Sequence, residues 1–164
     1  MTAVSNRQKI IATGLLFGLA AGIVGSVNAV TSAALVGVTG ENVISYIALF
    51  SIAALAIGSG LIAARISKRL TTGLLVGLLV GVIAALIATT TRVVYSIAFY
   101  DFVRNDPGEI RGWIHRGSAS FVDYLIADRT GGFINTTLFF GFLCAICGIV
   151  GGLISKARNI KFVK

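Results

Sequence analysis

Apolar residues run along this chain in four long blocks, at about 10–30, 44–64, 70–94 and 133–154, separated by short polar stretches. A helix rises about 1.5 Å per residue, so the block from Ile44 to Ala64 is about 31 Å long. That matches a bilayer hydrocarbon core of about 30 Å. The pattern predicts an all-α integral membrane protein with four transmembrane helices and a single membrane domain over 1–164. The first block follows a basic start and carries Val27-Asn28-Ala29, which looks like a signal-peptide cleavage site. Its apolar run is too long for a signal core, so it is expected to be kept as a span.

Within the blocks small residues recur at every fourth position. Gly14, Gly18, Gly22 and Ser26 form one ladder, and Gly73, Gly77, Gly81, Ala85 and Thr89 form another. The first and third blocks also resemble each other: Thr13-Gly14-Leu15-Leu16 is echoed by Thr72-Gly73-Leu74-Leu75. Two repeated helical hairpins are one reading of this, and chance similarity of glycine-rich sequence is the other. Weaker stripes occur at Ala56, Gly60 and Ala64, and at Cys144, Gly148 and Gly152. Lipid gives helices no hydrophobic reason to associate, so small residues that let backbones approach must supply the contact. The ladders are expected to serve as a glycine zipper inside the bundle. Assembly with further subunits is the alternative use.

Residues 101–132 are the one sizeable polar segment. Asp106-Pro107-Gly108-Glu109 reads as a helix start, with a capping acid, proline at the first helical position and a carboxylate three residues after the cap. Ile110, Trp113 and Ile114 then share a face. Ser120 is expected to cap a second short helix, with Phe121, Tyr124 and Leu125 on its apolar side and Gly131-Gly132 ending it. The prediction is a loop of two short amphipathic helices between the third and fourth spans. The third helix is expected to continue past the bilayer through Arg92, Tyr95, Phe99 and Tyr100. A turn is expected at Val38–Asn42.

Composition supports the membrane reading. Apolar residues make up 56% of the chain and charged residues only 12%, with a mean hydropathy of +0.93. Ordinary soluble domains carry about 25% charge. The net charge of +8 would suit nucleic acid, but the charges are partitioned. Arg7, Lys9, Arg65, Lys68, Arg69, Lys156, Arg158, Lys161 and Lys164 lie in three short segments without acids, and every acid lies in the other two loops. This is the positive-inside pattern. It predicts both termini in the cytoplasm, the 101–132 loop outside, a prokaryotic plasma membrane and no nucleic-acid partner. Membrane lipids are the expected surroundings, with anionic headgroups drawn to the basic side.

Candidate chemistry is sparse. Cys144-Ala145-Ile146-Cys147 spells C-x-x-C, yet it sits mid-span with nothing to activate a thiol and no other ligand for a metal. No ionisable residue falls within a hydrocarbon span, which argues against a proton relay or charged-substrate path. His115, the single histidine, lies in the polar loop and reads as a solvated side chain. No catalytic residue, metal ligand or cofactor is expected, and bound lipid or pigment is left open. The loop's arginines and aromatics, Arg104, Arg111, Trp113, Arg116, Phe121, Tyr124 and Arg129, are the residue types enriched at protein interfaces. The expectation is a non-enzymatic accessory subunit that packs with other membrane subunits or with itself. An oligomeric channel or small-molecule permease is the second expectation, with the polar residues near the outer ends of the spans (Asn28, Ser32, Thr89, Asn135) lining a vestibule.

Overall fold

A computed structural model describes residues 2–34 and 40–161. Part of the expected 38–42 turn lies outside these residues, but Gly40 to Asn42 already belong to a helix. Six helices follow one another: α1 (Thr2–Ala34), α2 (Gly40–Ser67), α3 (Leu70–Ala98), α4 (Tyr100–Arg104), α5 (Pro107–Arg116) and α6 (Phe121–Lys161). Four of them, α1, α2, α3 and α6, are long and apolar enough to cross a membrane. They form one bundle. α3 packs most extensively on α6 and α1, α2 fills the remaining side between α1 and α6, and α1 and α6 occupy opposite corners. The basic residues Arg65, Lys68, Arg69 and Lys156 mark one end of the bundle, and α4, α5 and the start of α6 cap the other, the loop end.

The bundle is built inside-out relative to a soluble one. Its core holds mostly small or medium side chains, Ala21, Ile52, Ala56, Val80, Ala84 and Cys144, while Leu16, Ile23, Phe50, Leu138 and Phe142 point outward. Large apolar groups cost nothing against lipid tails, and small ones inside let helices close. Several hydroxyls within the spans bond to their own helix: Ser51 donates to the Ile47 carbonyl at 2.8 Å and Ser59 to that of Ala56 at 2.9 Å. That is the necessary solution where water is absent.

The two ladders do different jobs. A Cβ at Gly77 or Gly81 would fall on the backbone carbonyl of Cys144 or Phe140, and one at Gly73 would lie 2.7 Å from the Gly148 carbonyl oxygen. Here α3 and α6 touch backbone to backbone, and Gly60 of α2 meets the same Gly148. Gly14, Gly18 and Gly22 of α1 instead receive the side chains of Leu79, Ile83 and Ile87 from α3. Those pairs, and the Ser26–Thr91 hydrogen bond at 2.8 Å, all share an offset of 65 positions. The sequence echo between Thr13 and Thr72 has an offset of 59, so glycine does not face glycine across α1 and α3. Gly152 lies against Leu70 and Ala64.

Two expectations about helix ends are overturned. α3 stops at Ala98, so Phe99 is the break and Tyr100 starts α4. Gly131-Gly132 does not end a short helix: α6 runs unbroken through both glycines from Phe121 to Lys161. Nothing lies within 4 Å of a Cβ at either position, so no close approach demands glycine there. The helical ladder of hydrogen bonds simply outweighs glycine's propensity cost of about 1 kcal/mol per residue. The expected amphipathic pair is therefore one free-standing helix, α5, and the first turns of a membrane-crossing one.

Candidate functional site

The polar residues of the molecule converge at the loop end. α3 breaks at Phe99, turns through α4, and leads to α5, whose start follows from the sequence. Asp106 Oδ1 accepts the backbone N–H of Gly108 at 2.6 Å and of Glu109 at 3.2 Å, with Pro107 following the cap. Gly117 closes α5 in the left-handed conformation, φ 65°, which glycine adopts without penalty. Ser120 Oγ then accepts the N–H of Asp123 at 3.1 Å and donates to its carboxylate at 2.7 Å, so α6 begins on a reciprocal cap.

Glu109 does not return to its own helix cap as its spacing suggests. Its carboxylate reaches across to α6, taking Arg129 Nη2 at 2.7 Å and the Tyr124 hydroxyl at 3.0 Å. Arg129 is the hub. It also pairs with Asp128 at 2.7 Å and donates from Nε to the buried Ser96 hydroxyl on α3 at 3.1 Å. With side chains only 10% and 18% exposed, Arg129 and Glu109 form a nearly enclosed ion pair that holds α5 and α6 onto α3. Toward the outer end of the cap lies a small second core of Val103, Phe121, Tyr124 and Leu125, flanked by Tyr95, Tyr100 and Trp113. The indole N–H of Trp113 donates to the Ser118 carbonyl at 2.9 Å, pinning the link between α5 and α6.

Four of the seven docking candidates are thus engaged within the cap: Trp113, Phe121, Tyr124 and Arg129. Phe121 and Tyr124 are buried. Arg104, Arg111 and Arg116 remain exposed on the cap surface, and Arg116 stands 5.7 Å over the Tyr124 ring. His115 is exposed on α5. Cys144 is buried at the α3–α6 contact, and Cys147 is half-buried beside the same core.

Under the cap the helices part around a cavity of about 510 Å³. Its inner part is lined by Ile52, Ala88 and Phe140 with the hydroxyls of Thr89 and Thr136 near them, and its outer part carries Asn28, Arg92, Ser96 and Glu109 beside Tyr95 and Phe102. Below the inner part the bundle is closed by the Gly60, Gly77 and Gly148 backbone contacts, so the cavity is a dead end within one chain. Sequence reasoning placed the polar residues of the span ends together but did not find the cavity. The signal for it was the run of small residues at this level, Gly25, Ala29 and Ala48, with no large partner opposite.

No protein-family model matches the chain, and no curated protein or solved structure is detectably similar to it. What fold and composition define is a class: an all-α, multi-pass membrane protein whose four crossing helices carry a folded cap at one end.

Proposed function

We propose that this protein is a non-enzymatic accessory subunit of a larger membrane assembly, built with other membrane proteins or with copies of itself. The observation that carries this reading is the apolar surface of the cap. α3 is 29 residues long, about 43 Å at about 1.5 Å per residue, so its last turns rise beyond a hydrocarbon layer of about 30 Å. Ile97 on that extension is 73% exposed and Ile114 on α5 is 70% exposed. Phe99 and Phe102 are exposed beside them, with Arg104 and Arg111 nearby in the chain. A hydrocarbon layer of about 30 Å that begins at Leu70 ends short of this height, and exposed apolar groups rimmed by arginine are characteristic of protein-binding surfaces. The cap that bears them is braced by the Arg129 network, so the surface is offered on a rigid support.

In this reading the basic end faces the cytoplasm of a prokaryote and the cap lies outside the plasma membrane, as the charge partition supports. The channel or permease alternative would have to place its path between protomers, since the helices of one chain close on each other below the cavity. Purification in mild detergent followed by native mass spectrometry tests the proposal. The expected result is a copurifying membrane subunit or a homo-oligomer, lost when Ile97→Lys and Ile114→Lys are combined. A solitary monomer carrying no other chain overturns it.

A further inference from the structure

We propose that the cavity beneath the cap is a binding site for an anionic amphiphile, with the acidic head at Arg92 and the chain on the floor formed by Ile52, Ala88 and Phe140. The argument begins with size. The cavity volume is about 510 Å³. This is well above what a few bridging waters fill and within the range of about 300–1,000 Å³ for small-molecule sites. The second argument is polarity along the bundle axis. From Ala88 to Ser96 the lining climbs about 12 Å, from alanine and aromatic carbon at the bottom to guanidinium, hydroxyl and carboxylate at the top. A wholly polar solute would strip water from itself against the floor, and a wholly apolar one would bury the rim's polar groups unpaired. An amphiphile satisfies both ends.

The sign of the head follows from which charges are already engaged. Four charged side chains line the cavity: Arg92, Asp106, Glu109 and Arg129. Arg129 and Glu109 neutralise each other at 2.7 Å, and Asp106 holds the first turn of α5. Among the described residues Arg92 makes no salt bridge and its side chain makes no hydrogen bond. Among the described residues it is the one cation on the rim without a charge partner, and it is exposed. Beside it, on α1, Asn28 lines the same cavity, and its side-chain oxygen is buried without a partner among the described residues. The shared register of α1 and α3, set by Ser26 on Thr91, brings Asn28 to the level of Arg92. A phosphate monoester, as in a phosphatidic acid, is charged and still keeps a hydroxyl, so it would accept from Arg92 and donate to the Asn28 oxygen. A fatty carboxylate would accept from Arg92 but has no proton to give Asn28.

The test uses the full chain purified in dodecyl maltoside and incubated in separate arms with oleate, dioleoylphosphatidic acid, dioleoylphosphatidylcholine and inorganic phosphate. Native mass spectrometry reads the bound mass. One equivalent of oleate or phosphatidic acid is expected, and the arm that binds more tightly identifies the source. Phosphatidylcholine, whose phosphate is balanced by its own ammonium, and free phosphate, which has no chain, are expected to bind at least tenfold more weakly. Arg92→Gln should weaken retention of the anionic amphiphile about tenfold, the loss expected for a hydrogen bond to a charged group. Ala29→Phe, which fills the cavity, should abolish it. Arg104→Gln removes an equal charge from the cap outside the cavity and should leave binding unchanged. Circular dichroism and a thermal melt check that each variant is folded. Equal retention of phosphatidylcholine, tight binding of phosphate alone, or the same loss in Arg104→Gln as in folded Arg92→Gln overturns the proposal.

Discussion

At Gly148 the backbone of α3 occupies the place a methyl group would take. A Cβ there would fall on the Gly73 carbonyl oxygen and lie 3.0 Å from Gly77 Cα. Neither atom can move without separating α3 from α6 along the closest contact of the bundle. At Gly14 the nearest obstacle is the Leu79 Cδ2 methyl at 2.7 Å, the mobile end of a long side chain, and the next atoms are at 3.5 Å. Gly148→Ala should therefore destabilise the fold by about 3 kcal/mol, at the upper end of overpacking costs. Gly14→Ala should cost less than about 1 kcal/mol, since alanine also gains helix propensity. Reversible unfolding in mixed micelles separates the two, and equal effects would contradict the distinct roles of the ladders. The same scale of reasoning applies to Arg129. Replacing it by Gln leaves Glu109, 18% exposed, without its charge partner, and should cost about 3 kcal/mol. Arg116 is 46% exposed and 3.9 Å from Asp128, so Arg116→Gln should change stability by less than about 0.5 kcal/mol. Hydrogen exchange over 107–116 should rise in the first variant only, which would assign the loss to release of α5.

The elements were legible in the sequence to unequal degrees, for physical reasons. Helices that cross a membrane advertise themselves by length and apolarity, because every backbone group must be satisfied within the segment. The start of α5 was equally plain, because Asp106-Pro107 is a local device that needs no partner. The continuity of α6 was not. Gly131-Gly132 reads as a terminator only while neighbouring helical turns are ignored, and the unbroken helix from Phe121 to Thr130 before it and from Phe133 to Lys161 after it supplies what the pair lacks. The internal contacts of the cap were not legible for a related reason. Arginine and aromatic side chains suit an interface and a small internal core alike, and only the fold shows Glu109 crossing to Arg129 instead of closing its own capping box. A continuous α6 has a measurable consequence. With open space around both glycines, Gly131→Ala and Gly132→Ala should each stabilise by about 0.5–1 kcal/mol. A hinge at this point would make the double variant neutral or harmful, so a rise in the unfolding midpoint together with slower exchange over 125–138 distinguishes the two.

At the scale of the molecule, charge and fold divide the bundle the same way. Arg7, Lys9, Arg65, Lys68, Arg69 and Lys156 cluster at one end, while the cap at the other end mixes its arginines with acids in a paired network. Translocation is opposed by lysine and arginine in short loops and little affected by balanced segments. This supports an orientation in which the cap is exported and the Ser67–Arg69 link is retained. The structure offers clean sites for testing it. Ala119, beside Ser118 in the α5–α6 link, is exposed, and Lys68 is exposed between α2 and α3. The native thiols make a low background, because Cys144 is fully buried and Cys147 is half-buried in the middle of a membrane-crossing helix, away from bulk water. In intact cells a membrane-impermeant maleimide should label Ala119→Cys and spare Lys68→Cys, and permeabilisation should expose the second. Replacing Arg65, Lys68 and Arg69 together by Gln should reduce the labelling of Ala119→Cys by creating a population inserted the other way round. Labelling of Lys68→Cys in intact cells, with Ala119→Cys silent until permeabilisation, would reverse the orientation and put the cap and its apolar surface on the cytoplasmic side.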